Sequence, residues 1–307
     1  MKANREAYGE ALVELGQELD NVVVLDADLA KATFTCKFKE AFPERFFDCG
    51  IAEGNMMGVA AGLSTVGYIP FVSTFAMFAA LRAAEQFRNS VCYPHLNVKV
   101  VATHAGIDCG ADGATHQALE DLSLMRAIPG NHVIVPSDHV STKALVKAIA
   151  KIDGPCYLRV GRDKNEALYK EDEVFEIGKS KTLRDGNDAT IIACGPVLKA
   201  ALEAADELAK DGKNVRVIDM YSLKPIDKQA IIDAATETKG IITVEDHQIT
   251  GGLGSAVTEV TAENCPCKVL RIGMQDSFGK SAAASELYDY FGINSKAIIE
   301  AVNKILA

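Results

Sequence analysis

The chain has 307 residues, 48% apolar and 24% charged with no low-complexity tract, which is enough for two domains with cores of their own and excludes a disordered protein. Its 42 acidic residues outnumber the 32 basic ones for a net charge of -10, and no Lys/Arg cluster offsets them, so a broad nucleic-acid footprint is excluded. No apolar run approaches membrane-spanning length, the start Met1-Lys2-Ala3-Asn4-Arg5 carries no signal-peptide core, and a cytoplasmic protein without a membrane partner is expected.

In chain order, helix-period spacing over residues 6–19 gives way to a β-branched run at 21–25. The alternation continues through 58–63, 98–103 and 132–136, which predicts parallel βα units. After Tyr157-Leu158-Arg159-Val160 the sequence turns polar and charged. We assign residues 1–165 to a first domain, 166–188 to a linker and 189–307 to a second, smaller α/β domain. The second block predicts strands at 190–194, 215–219, 240–244 and 268–272, and helices at 198–208, 227–235, 254–262 and 295–305. Its Gly251-Gly252-Leu253-Gly254 turn invites a dinucleotide reading, but Val257 stands where the third glycine belongs and no acid ends the next strand, so a structural tight turn is preferred. The eight cysteines form no Cys-x-x-Cys pair, and reduced, mostly buried thiols are expected.

Chemistry concentrates in two stretches of the first domain. Gly50-Ile51-Ala52-Glu53-Gly54-Asn55-Met56-Met57-Gly58 places one carboxylate at the start of an apolar helix. Ser73-Thr74-Phe75-Ala76-Met77-Phe78 follows with two aromatic rings three apart on a predicted helix. Alone, Glu53 reads as an acid stabilised by the helix dipole, and Phe75 and Phe78 as core packing. Together they offer an acid and a stacking platform to one flat heterocycle, as in a thiamine-type cofactor pocket.

The second stretch, 104–116, carries His104, Asp108, Asp112 and His116 at four-residue intervals, but glycines at 106, 110 and 113 favour a loop after the 98–103 strand. Three readings compete there: a metal site using the imidazoles, side chains that satisfy nearby backbone groups, and a polar wall for a polyhydroxylated substrate. In the last, Asp112 accepts from a hydroxyl while His104 and His116 donate or shuttle protons. Arg159 and Arg162 could pair with the acidic linker, yet Arg162, just past a strand, could equally reach the same crevice and grip a phosphate.

Taken in order, Leu25-Asp26-Ala27-Asp28, Ile51-Ala52-Glu53-Gly54-Asn55-Met56, Ser73-Thr74-Phe75, Asp112-Gly113-Ala114-Thr115-His116-Gln117, Pro136-Ser137-Asp138 and Arg159 through Asn165 resemble the C-terminal half of transketolase. The resemblance implies a pyrimidine-binding domain followed by a smaller C-terminal-type domain, two α/β domains with mostly parallel sheets. It implies thiamine diphosphate as cofactor, with Glu53 at ring nitrogen N1′ of the aminopyrimidine and Phe75 and Phe78 beside the ring. It implies Asp112 and His116 on sugar hydroxyls, His104 on the phosphate side of the substrate channel, and Arg5 and Arg162 on the substrate phosphate. The activity implied is transfer of a two-carbon ketol unit from a ketose phosphate to an aldose phosphate.

Two departures accompany it. The family's phosphate-binding serine after the first strand is missing from Asp-Ala-Asp-Leu-Ala-Lys-Ala-Thr at 26–33, which leaves Lys31 as a possible substitute, and Leu81 stands where some relatives have tyrosine. The Gly-Asp-Gly segment with its Asn pair, the usual holder of a metal-bound diphosphate, does not occur. The expected Mg²⁺ or Ca²⁺ ligands must then come from a partner carrying the N-terminal half, in an α2β2 assembly, with no activity for this chain alone. The alternatives are the β subunit of a 2-oxo acid dehydrogenase and a non-catalytic structural subunit.

Overall fold

The computed structural model describes residues 1–307. A seven-stranded sheet organises the first domain, in the order Ser222–Lys224, His132–Ile134, Cys156–Arg159, Lys99–Thr103, Ile69–Phe75, Val22–Asp26, Phe46–Asp48. All neighbours are parallel except the first pair. Its central strands are apolar almost throughout because helices cover both faces, and Val22–Asp26 and Lys99–Thr103 are buried at every position. Even Lys99 is enclosed, its ammonium donating to the carbonyls of Ile152 and Gly154 at 2.7 Å each.

One face carries helices Asn4–Glu18 and His139–Ala150. The second begins at Asp138, whose carboxylate accepts from Ser141 N at 2.7 Å while Ser141 Oγ accepts from Asp138 N at 3.0 Å, a reciprocal cap. The other face carries helix Glu53–Thr65 and continues without a break into the second domain, so that Leu25, Val72, Ile192, Ile231, Leu253 and Val257 share one apolar core. The second sheet runs Val269–Met274, Ile241–Gln248, Ala189–Ala193, Val215–Asp219, Lys181–Arg184, parallel apart from its last strand.

The domains are tied in two ways that periodicity did not reveal. Ser222–Lys224, from the second half of the chain, adds to the edge of the first sheet. The polar segment 166–188 is anchored: Tyr169 OH donates to Asp219 at 2.7 Å, the Leu168 and Tyr169 amides donate to Asp138, and Phe175 packs between Tyr169 and Tyr221. The Gly251–Gly254 turn opens helix Leu253–Asn264, and the buried Glu245 carboxylate accepts the Leu253 and Gly254 amides at 2.7 and 2.8 Å. An internal carboxylate thus takes the place that a dinucleotide phosphate would need.

Candidate active site

Four neighbouring parallel strands end together at Asp26, Phe75, Thr103 and Arg159, and the predicted site residues gather at this carboxyl edge, where open α/β sheets bind ligands. Glu53 is the first residue of its helix, preceded by Ala52, which offers no capping side chain. The residue is 1% exposed, and both carboxylate oxygens accept from Arg82 Nη1 at 3.1 Å.

Phe75 is not on a helix with Phe78, as expected, but is the last residue of strand Ile69–Phe75. Fully extended pairing with Lys99–Thr103 carries the strand that far, and the chain then bends into a π-helical turn, Phe78–Arg82. Such widened turns recur at functional sites. Here the turn folds Arg82 back over Phe78, with the guanidinium carbon 4.7 Å from the ring centroid. Sequence reasoning missed Arg82; a cation four residues after an aromatic was the available signal. Leu81, beside it, is half exposed.

The 104–116 segment is a loop with one 3₁₀ stretch, Ile107–Asp112, and left-handed backbone at His104, Gly106, Gly110 and Gly113. The four-residue spacing therefore builds no common face. Asp108 turns inward and is buried, whereas Asp112 is exposed and receives the Cys109 thiol at 3.8 Å. His104 and His116 do come together with the aromatic pair. The His104 ring stacks on Phe75 at 3.8 Å, and His116 meets Phe78 edge-on at 5.4 Å. Burial, then the positive charges of Arg5 and Arg162, and then His116 lower His104 to about 3. It is neutral at physiological pH and serves as a hydrogen-bonding group, with Nδ1 2.9 Å from Thr103 Oγ1.

Arg5 and Arg162 share an open cavity of about 550 Å³ with Lys164, Glu6 and Asp163. Each is held by backbone: Arg5 donates to the carbonyls of Arg162 and Ala32 at 3.1 and 2.7 Å, and Arg162 to Cys109 O at 2.5 Å. Lys164, exposed on the short strand paired with Lys2–Ala3, is a third cation that the sequence did not single out. Lys31 is exposed on the short helix Ala30–Thr33. No cluster of three or more His, Cys, Asp or Glu side chains is arranged to hold a metal, and no helix is long and apolar enough to cross a membrane.

A buried acid thus lies beside a stacked aromatic pair at the carboxyl edge of a parallel sheet that is followed by a second α/β domain. Residues 1–166 match the family Transketolase, pyrimidine binding domain, and residues 178–298 match Transketolase, C-terminal domain. The chain belongs to the transketolase family. It is 49% identical over 304 residues, covering 98% of this chain and 95% of the relative, to a Methanocaldococcus jannaschii protein provisionally named a transketolase C-terminal section. It is 40% identical over 301 residues, covering 98% and 94%, to a Clostridium 6-deoxy-6-sulfo-D-fructose transketolase subunit. Against human transketolase it is 38% identical and spans 99% of itself but 49% of that protein. A split-gene transketolase, solved as an inactive β4 tetramer, superimposes with a TM-score of 0.92 at 52% identity, covering 99% and 98% of the two chains.

Proposed function

We propose that the chain is the pyrimidine-binding subunit of a thiamine diphosphate-dependent transketolase, moving a two-carbon ketol unit from a ketose phosphate to an aldose phosphate once a diphosphate-binding partner is present. The observation that carries this reading is the position of Arg82. Its guanidinium is flat and rich in N–H donors, lies over Phe78 and donates to both Glu53 oxygens. An aminopyrimidine has the same requirements, a stacking face and an acid at its edge, so the residues fit the cofactor. When bound, thiamine diphosphate supplies the nucleophilic carbon that carries the ketol unit. This chain's share is to stack the ring on Phe78, hold a shared proton at the Glu53 carboxylate and keep water out with the Phe75 and His104 stack. Asp112 and His116 meet sugar hydroxyls, and Arg5 and Arg162 grip the anionic end, which aligns the reacting carbons.

Magnesium or calcium ligands belong to the partner in this reading, which rests on the missing Gly-Asp-Gly segment and its Asn pair. The inactive β4 state of the split-gene relative supports dependence on an N-terminal-half subunit, in an α2β2 assembly. The test is ketol transfer from xylulose 5-phosphate to ribose 5-phosphate with thiamine diphosphate and Mg²⁺, comparing the chain alone with the chain co-purified with its partner. Activity in the co-purified sample only is expected; activity of the chain alone overturns the partner requirement, and activity in neither overturns the reaction. The Clostridium relative favours a second donor, a 6-sulfonated ketose, whose terminal anion the same arginines could hold. The ratio of kcat/KM for 6-deoxy-6-sulfofructose to that for fructose 6-phosphate decides between the donors.

Cofactor binding requires Arg82 to swing away into solvent, where half of its side chain already lies. Arg82→Ala is therefore expected to tighten thiamine diphosphate binding to the assembled enzyme by about two- to fivefold, the range of a partly exposed ion pair. Titration calorimetry reads this directly. Weaker binding would instead make Arg82 a ligand of the cofactor.

A further inference from the structure

The second domain reaches the proposed substrate wall through one buried side chain. Asp246 lies on strand Ile241–Gln248, is 2% exposed, and accepts from Ile107 N at 2.9 Å, Asp108 N at 3.2 Å and Tyr288 OH at 2.9 Å. The loop backbone lies so close that a Cβ on Gly106 would collide with the Asp246 carboxylate. Asp108 repeats the device one step further in. Its Oδ2 accepts from Arg162 N at 2.5 Å and Asp163 N at 3.1 Å, and a Cβ on Gly161 would collide with it. Two buried carboxylates, each met by a bare glycine and a pair of amides, thus connect Tyr288 in the second domain to the backbone of Arg162.

We propose that Asp246 is a positioning residue for substrate: through the amides of Ile107 and Asp108, and through Asp108 to Arg162, the second domain sets the register between the sugar-binding loop and the arginine that grips the substrate's anionic end. Two further contacts pull in the same direction. Gln117 Nε2 donates to both Gly110 O and Lys280 O, at 3.1 and 2.8 Å, and Ser281 Oγ donates to Ala111 O at 2.5 Å. The second domain therefore holds the loop at its entry, its middle and its exit. Arg162 closes the circuit by donating to Cys109 O within that loop. A carboxylate is required at 246 because all three of its partners are donors; an asparagine keeps one acceptor and turns an N–H₂ toward the rest.

The inference rests on the transketolase reading. Its test uses Asp246→Asn in the assembled enzyme with partner and cofactor, and two donors: xylulose 5-phosphate, and hydroxypyruvate, which has no phosphate for Arg162 to hold. The expected result is a KM for xylulose 5-phosphate raised about tenfold or more, with the KM for hydroxypyruvate and the affinity for thiamine diphosphate within about twofold of the unaltered enzyme. Tyr288→Phe, which removes one donor and no charge, is expected to move the same ratio in the same direction by a smaller factor, and it provides the measurement if the Asn variant does not assemble. Equal changes for both donors, or no change for either, overturn the positioning role. Failure of the unaltered assembly to use either donor overturns the transketolase reading itself, a result distinct from any that the variants produce.

Discussion

Glu53→Gln in the assembled enzyme is expected to lower kcat for ketol transfer by about 10²- to 10⁴-fold, the range for loss of a positioned acid or base. Glutamine keeps the shape, the packing and one hydrogen-bond acceptor, but an amide cannot share a proton back and forth with a ring nitrogen. The site is closed enough for this to matter: Glu53 is almost wholly buried and its hydrogen-bond partner is Arg82, the contact that the proposed pyrimidine ring would replace. Folding is expected to change little, because the helix starts at Glu53 without a capping side chain and the substitution removes no apolar contact. The measurement is steady-state transfer between xylulose 5-phosphate and ribose 5-phosphate, with thermal unfolding of the same sample as control. A kcat within threefold of the unaltered enzyme, with an unchanged melting temperature, removes Glu53 from the proton chemistry.

Much of this site was legible in the sequence, for physical reasons that differ by residue. Glu53 stood out because a carboxylate opening an apolar, glycine-spaced helix needs a partner from elsewhere. The 104–116 segment read correctly as a loop because glycines 106, 110 and 113 make a helix costly, and all three adopt left-handed backbone. The same glycines explain why the equal spacing builds no common face: with the direction of the chain reset at each one, Asp108 is buried and Asp112 exposed. Phe75 was assigned to a helix because a run of Phe, Ala and Met fits strand and helix alike, and pairing with Lys99–Thr103 decided the matter. Asp246 could not be found by any local pattern, since its partners Ile107 and Asp108 lie 139 and 138 residues away. The segment 166–188 looked like a linker because its anchors, Tyr169 and Phe175, are isolated apolar residues without a period.

The largest effect on stability is expected at Arg159, for which the sequence offered pairing with the acidic linker. It pairs elsewhere. Its Nε donates to Asp121 at 2.8 Å, its Nη2 to Ala118 O and Asp246 O at 3.0 and 2.9 Å, and Tyr157 OH donates to the same Asp121 oxygen at 2.8 Å. Arg159→Leu leaves a buried carboxylate without its cation and frees two carbonyls, one in each domain. Breaking a buried pair from one side costs about 3–5 kcal/mol, which predicts a melting temperature lower by roughly 10 °C. Lys210→Ala, which removes an exposed pair with Glu207, is the matched control and should leave it unchanged. The pH dependence follows from the sign of the Asp121 shift. Burial pushes this carboxyl up, but Arg159, His247 and Tyr157 outweigh burial and hold it below the ordinary range. The stability it contributes is fully present above the unfolded value, about 3.9, and is lost as pH falls through the lower folded value. In Arg159→Leu the main opposing charge is gone, the same carboxyl takes up a proton more readily in the fold, and the gap to the unaltered protein should narrow as the pH is lowered toward 4. Unfolding curves at pH 7 and pH 4.5 for both proteins check this: a gap that is equal at the two pH values shows that Arg159 packs the domain junction without neutralising Asp121, and a loss at pH 7 no larger than that of Lys210→Ala shows that it contributes no net stability.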